Sequence, residues 1–405
     1  MKKVELLAPA GSYPKLVIAL HFGADAVYLG GKNFGLRAFA DNFEISEIES
    51  AVKTCRALGK KVYVTVNIFA KNSDFGALGE FVSELARIGV DALIVSDAGV
   101  VSYVKKRFPS MEIHLSTQAN TLNSYAAEFW RDEGVKRIVL ARELSLEEIG
   151  QIKDKVKDTV EIEVFVHGAM CVSYSGRCLL STYLTPRDSN RGECAQACRW
   201  EYKIGEVSRK ESLTLQEDRR GSYILNSKDM DTMPILDSII NTGADALKIE
   251  GRMKSEYYVG SVVRAYRKRI DDFYNGLPYD GELDKELRKV NHRDYSTGFY
   301  LGEAGQCYET SKPVNEYRFC AEVVGYDEQK GMLEVIQRNR FFDGDTLETV
   351  SVTPVKSIRV NGIFDENGQT VSDCRLVEQR LFIKTDARLR KYDMLRKKCD
   401  TEGVC

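Results

Sequence analysis

Four cysteines, Cys171, Cys178, Cys194 and Cys198, fall within 28 residues of a 405-residue chain. Their spacing is C-x6-C-x15-C-x3-C. Lone cysteines commonly pack as small hydrophobes, but four so close together suit thiolate ligation. A structural zinc site favours ligand pairs two to four residues apart, which only Cys194 and Cys198 offer. A [4Fe–4S] cluster also takes four thiolates and accepts wider spacings. On spacing alone both metals stay open. A third chemistry pairs one thiolate with a histidine, and His167 lies four residues before Cys171. The chain has only four histidines, no H-E-x-x-H helix and no G-x-S-x-G elbow, so the usual zinc and serine hydrolase signatures are missing.

The elements that must position these groups are short apolar runs followed by turns and helical patterns. They read VELLAPAG (4–11), DAVYLGG (25–31), KVYVTVNIF (61–69), DALIVSDAG (91–99), EIHLSTQAN (112–120), RIVLARE (137–143), EIEVFVHG (161–168) and DALKIEG (245–251). Continuous apolar runs of this length fit parallel strands buried on both faces. Leu78, Phe81, Val82, Leu85 and Ile88 recur at helical spacing. GADAV, GVDAL and GADAL each place a glycine where a helix ends and a strand begins. Eight strands alternating with helices predict a (β/α)8 TIM-like barrel. An open doubly wound sheet is the alternative, but no G-x-G-x-x-G follows the first strand.

About 77 residues separate the seventh run from the eighth, and the cysteines lie in that gap. Chemistry in such barrels sits on loops after the strands, so the thiols are expected at the working end. Asn67, Asp97, Gln118, Arg142, His167 and Glu250 end successive strands and are expected to face one mouth. Arg252 and Lys254 are candidates for an anionic ligand, because a guanidinium matches a carboxylate bidentately. His167 could move a proton near neutral pH.

The expected organisation is a barrel over 1–275 with a cysteine-bearing insertion at 168–230, a connector at 276–316, a β-barrel-like antiparallel domain at 317–395 and a tail at 396–405. Residues 201–230 read as short strands and turns. The C-terminal runs alternate in polarity, with FDGD (342–345) and DENG (365–368) as turns. Lys plus Arg total 58 against 60 Asp plus Glu, so a nucleic-acid partner would need a local basic face. VRAYRKRI (263–270), RLRKYDMLRKK (388–398) and the aromatic-containing IQRNRFF (336–342) are the candidate stretches. No apolar run of about 18 residues occurs, so no membrane span is expected. Glu5 and Pro9 interrupt any secretory core near the start, and a reducing, cytoplasmic setting is expected.

ELLAPAG, GADAVYLGGKNFGLRA, VFVHGAMCVSYSGRCLLS, NRGECAQACRWEY, NSKDM and LKIEGRMKS together resemble the peptidase U32 family, first named as collagenase-like proteases. The resemblance spans essentially the whole chain and is strongest to the branch that forms 5-hydroxyuridine at the tRNA wobble position. It implies an oxygen-independent tRNA hydroxylase with prephenate as hydroxyl donor and a [4Fe–4S] cluster on Cys171, Cys178, Cys194 and Cys198. Some relatives draw the fourth cysteine from the region matching NSKDM (226–230), where this chain has none. The expected partners are the tRNA anticodon loop, prephenate and a paralogous protein. Catalytic roles are expected for His167, Glu250 and Arg252, and substrate contacts for Asn67, Gln118, Arg142 and Lys254. A U32-type peptidase and a ribosomal RNA hydroxylase are the competing readings.

Overall fold

All eight apolar runs become strands in the computed structural model, which describes residues 3–37, 40–200, 227–305 and 313–399. They are β1 (Glu5–Pro9), β2 (Ala26–Gly30), β3 (Lys61–Val66), β4 (Ala92–Val95), β5 (Ile113–Leu115), β6 (Arg137–Val139), β7 (Glu161–Ala169) and, beyond an extra strand β8 (Asp229–Asp231), β9 (Ala246–Ile249). Successive barrel strands pair in parallel, and β9 pairs with both β7 and β1 to close the ring. The predicted barrel is therefore the observed one. The helices are α1 (Tyr13–His21), α2 (Ile45–Ala57), α3 (Phe75–Ile88), α4 (Ala98–Arg107), α5 (Ser124–Asp132), α6 (Leu146–Val156), α7 (Leu180–Leu184), α8 (Leu236–Asn241), α9 (Glu256–Tyr274) and α10 (Glu282–Leu287).

Local chemistry explains the boundaries. Ser145 and Glu148 form a capping box at the start of α6, and Ser255 caps α9. Gly23, Gly89 and Gly243 take positive φ at the helix-to-strand turns, where a side chain would be strained. On α3, Leu78, Val82, Leu85 and Ile88 are buried and Phe81 packs at the margin.

Two features were not foreseen. Strand β8 runs antiparallel to the end of β7 outside the ring, and β10 (Tyr295–Ser296) adds to it. The excursion expected over 201–230 lies mostly outside the described residues, with β8 at its end. The lower barrel interior is also charged. Arg137 reaches Glu5 at 2.6 Å, Glu161 at 2.7 Å and Glu163 at 3.2 Å, and Lys248 meets Glu163 at 2.8 Å. Burial pushes the Glu163 carboxyl upward, but Lys248 and Arg137 outweigh it and hold the pKa below its usual value. These charges survive burial because they are paired.

The C-terminal domain is an antiparallel half-barrel of β11 (Tyr317–Asp327), β12 (Met332–Gln337), β13 (Thr346–Val350), β14 (Ser357–Arg359), β15 (Ile363–Phe364), β16 (Arg380–Lys384) and β17 (Met394–Lys398), in the order β14-β13-β17-β11-β12-β16-β15. Both predicted turns are present, with Gly344 and Gly368 at positive φ. Strand β17 extends to Lys398, so three residues expected in the tail belong to the sheet. The domain packs along α9: Tyr257 stacks on Phe319 with ring centroids 5.7 Å apart, and Val350 and Met394 join the barrel core. Arg396, expected as a tail cation, is buried and bonds Glu286 at 2.7 Å and Glu348 at 3.0 Å.

Burial raises the pKa of Glu286 and Glu348, but Arg396 and Lys289 overcome it and hold both below the ordinary carboxylate range. Depressed carboxylates stabilise the fold fully above the unfolded-state pKa, and that contribution is lost as pH falls through the folded-state value. Arg396→Met should therefore cost about 3 kcal/mol at neutral pH, because it leaves Lys289 alone to answer two carboxylates at the interface. It should also flatten the acid limb of the stability profile. Urea unfolding of both proteins across the acid range checks this, and an unchanged acid limb would count against it.

Candidate functional site

After Ala169 the chain runs through short 3-10 turns and α7, with several contacts to the loops at the C-terminal end of the barrel. Polar side chains fasten it there. The Ser175 backbone N–H donates to Glu143 at 2.6 Å, and Arg177 Nε donates to the Gln118 carbonyl at 2.7 Å. Arg191 bonds the Phe69 carbonyl at 2.9 Å and Asp74 at 2.8 Å, while Arg199 bonds the Met170 carbonyl at 2.8 Å. Ser175 and Gln196 hold positive φ. Strain of that kind persists only where surrounding contacts enforce it.

Beneath this insertion is a cavity of about 220 Å³, and all four cysteines line it. The thiols are free. Burial raises the Cys198 pKa, and Cys171, Cys194 and Cys178 each add to the rise, so the four sulfurs lie in one another's field. Among the described residues, however, no three His, Cys, Asp or Glu side chains form a group that could hold a metal ion. The four thiols thus share one cavity without converging on a single point. Backbone N–H groups of Leu180 and Gln196 approach the sulfurs of Cys178 and Cys194 at 3.3 and 3.4 Å.

Asn67, Gln118, Arg142, Glu250 and Arg252 line the same cavity. Asn67 Nδ2 donates to Gln118 Oε1 at 3.1 Å, and Glu250 accepts from Arg37 at 3.2 Å. Arg252 is 3% exposed and donates to Thr65 Oγ1 at 3.1 Å. Room for it comes from Gly30, where a Cβ would collide with the guanidinium. Burial lowers its pKa to about 10. Among the described residues no carboxylate is within ion-pair distance of Arg252, because Glu250 is taken by Arg37. A buried cation with one neutral hydrogen bond is costly unless an anion completes it. Arg142 lies over the Phe165 ring at 4.1 Å, and its Nε has no hydrogen-bond partner.

Three expected site residues lie elsewhere. His167 does not line the cavity. The β7–β9 register shifts between Phe165 and His167, and such a bulge reverses the faces that follow. The ring is 1% exposed and packs among Tyr258, Tyr266 and Tyr295, with Nδ1 3.7 Å from Asp231. His167, expected to be catalytic, is thus placed in a tyrosine cluster beside Asp231 and not in the cavity lining. Lys254 bonds the Asn291 carbonyl at 3.2 Å and covers Tyr258, outside the cavity lining. Asp97 caps α4 through the Val100 N–H.

Sequence reasoning missed Arg37, Tyr28 and Lys248, which also line the cavity. Lys248 carried a signal, as the one charged residue inside the apolar strand β9. Arg37 carried none, since its place depends on Glu250, 213 residues away.

The basic stretches proved largely self-neutralised. In α9, Arg267 pairs with Asp25, Lys268 with Asp272 and Arg269 with Asp237. In the C-terminal domain Arg338 pairs with Glu322, Arg340 with Asp373, Arg388 with Glu328 and Lys397 with Asp345. Of the two aromatics in IQRNRFF, Phe341 is buried in the domain core. No helix among the described residues is long and apolar enough to cross a membrane.

With this geometry in hand, two family descriptions match the chain: "Peptidase family U32" over residues 11–310 and "Peptidase family U32 C-terminal domain" over 315–396. The chain is 40% identical to tRNA hydroxylation protein P1 of Bacillus subtilis, covering 98% of this chain and 95% of the relative. It is 38% identical to tRNA hydroxylation protein P of Escherichia coli, covering 87% of each. It is 34% identical to a protein of Porphyromonas gingivalis named collagenase, covering 74% of each.

His167→Leu tests the reassignment of the histidine. The variant should lose about 1–3 kcal/mol of stability through its disturbed tyrosine cluster. Calorimetry should show dicarboxylate binding at the wild-type level, and abolished binding in a folded variant would return His167 to the site.

Proposed function

The chain belongs to peptidase family U32, and from that premise we propose that it is a tRNA hydroxylase forming 5-hydroxyuridine at the wobble position without molecular oxygen. Prephenate is the proposed hydroxyl donor, and Cys171, Cys178, Cys194 and Cys198 would hold a [4Fe–4S] cluster. The observation that carries the reading is the meeting of four free thiols with a buried, carboxylate-free arginine in one cavity at the barrel mouth. The names of the two tRNA hydroxylation relatives supply the substrate class.

Each residue has a task in this reading. Arg252 takes one carboxylate of the donor bidentately, and Arg142, with its free Nε, takes the second. Asn67 and Gln118, already bonded to each other, offer amide groups to a uracil edge. Glu250 is the one carboxylate among the described residues that line the cavity and would hold or accept a proton beside the base. When bound, the cluster supplies Lewis-acid or electron-transfer chemistry beside the donor. An unpaired anticodon base reaches the cavity with less unstacking than a duplex base would need. The peptidase alternative lacks its base, because no histidine lines the cavity.

Deleting the gene should remove 5-hydroxyuridine and its derivatives from bulk tRNA, read by nucleoside mass spectrometry, while ribosomal RNA stays unchanged. Protein purified without air should be brown and carry about four irons per chain, and Cys198→Ser should lose most of that iron. Arg252→Lys keeps the charge but not the fork, and should raise the KM for prephenate about tenfold or more. An unaltered tRNA profile, or a colourless protein with one zinc, would overturn the proposal.

A further inference from the structure

The chain carries a net charge of −2, yet among the cations lining the cavity, where Glu250 answers Arg37, Glu163 answers Lys248 and Asp229 answers Arg293, Arg142 and Arg252 have no carboxylate partner among the described residues. The uncompensated positive charge therefore lies where the barrel opens. The insertion that covers this opening is unusually apolar outside. Tyr183 is 80% exposed, Tyr174 51% and Trp200 42%, with Leu179 and Leu184 also open to solvent. Several exposed rings carried on one insertion beside a cavity with unpaired arginines mark a binding surface rather than ordinary exterior. Arg177 adds an exposed cation with no carboxylate partner among the described residues.

We infer that the cysteine-bearing insertion, rather than the C-terminal domain, is the surface that grips RNA, with unpaired bases stacking on Tyr174, Tyr183 and Trp200 as the target base enters the cavity. This rests on the tRNA reading above. Charge complementarity selects a polyanion, and flat exposed rings select one with unstacked bases. The C-terminal stretches fit less well, since pairing with Asp and Glu cancels most of their cations. The Tyr174 carbonyl is tied to Asn120 Nδ2 at 3.3 Å, and its neighbour Ser175 to Glu143. That ring is thus presented from a braced turn. The same segment that positions the thiols would position the substrate, so binding RNA and aligning the donor become one event.

The test uses the full-length protein purified without air and an RNA hairpin with an unpaired loop, beside the same sequence closed as a duplex. Tyr183→Ala and Tyr174→Ala should each weaken hairpin binding about tenfold. Tyr183→Phe, which keeps the ring, should bind like the wild type, and iron content should not change. The double variant Arg390→Glu, Lys391→Glu, on C-terminal cations without carboxylate partners among the described residues, should bind the hairpin within a small factor of wild type. Hairpin binding that survives both alanine variants but fails in the charge-reversed one would overturn the inference and leave the tRNA reading standing. Full hairpin affinity in the alanine variants, together with loss of a dimer in sedimentation, would also overturn it by making the rings a contact between copies. Failure of the wild-type protein to prefer hairpin over duplex would overturn the inference together with the reading beneath it.

Discussion

Strand β9 must pair with β1 and β7 at once, and the rest of the molecule follows from that closure. Closing the ladder satisfies every backbone edge in the ring and points the strand ends at one mouth. It also fixes the register at which Lys248 meets Glu163 and Glu250 meets Arg37. An open sheet of the same strands would leave Arg137, Glu163 and Lys248 on a wet face, with no reason to pair. Closure buries them together, and their mutual attraction then carries the desolvation cost.

The two ends of the barrel interior differ in how charge is treated. At the lower end, Arg137 and Lys248 are matched by Glu5, Glu161 and Glu163. At the mouth, Arg252 has only a threonine hydroxyl, and Arg142 has a carbonyl and an aromatic face. In a fold that elsewhere pairs its buried charges, this imbalance is what the proposed anionic donor would complete. The thiols share that field: Cys194 and Cys171 act on Arg37, and Cys198 and Cys171 on Arg199. Thiolates and an anionic donor would thus draw on the same guanidinium charge.

The C-terminal half-barrel is fixed to the barrel by Arg396 on Glu286 of α10, by the Tyr257–Phe319 stack on α9 and by a hydrogen bond of 2.8 Å between His21 of α1 and Asp393. Of the residues that looked like free cations, Arg396 is spent on this packing, whereas Arg267, Lys268 and Arg269 pair within the barrel domain. The insertion is the reverse case. Among its described residues, Tyr174, Leu179, Tyr183, Leu184 and Trp200 remain outside.

The barrel was legible in the sequence because parallel strands buried on both faces leave continuous apolar runs, and Gly23, Gly89 and Gly243 mark their turns. The gathering of Cys171, Cys178, Cys194 and Cys198 was legible from spacing, and their place at the mouth from the strand they follow. The places of Asn67, Gln118, Arg142 and Glu250 in the cavity lining follow from the same strand-end rule, which reads position along an element, whereas Arg252 was singled out by the match of a guanidinium to a carboxylate. The rule failed at His167, because a single extra residue in β7 reverses its face and nothing in EIEVFVHG announces a bulge. It could not supply Arg37, nor foretell that Arg267, Arg340 and Arg396 would meet carboxylates. Periodicity and spacing are properties of neighbours along the chain, so the sequence by itself determined the elements and their order. Which charge meets which, and which face a side chain takes after a bulge, depends on contacts between residues hundreds of positions apart. Only the closed tertiary structure decided those.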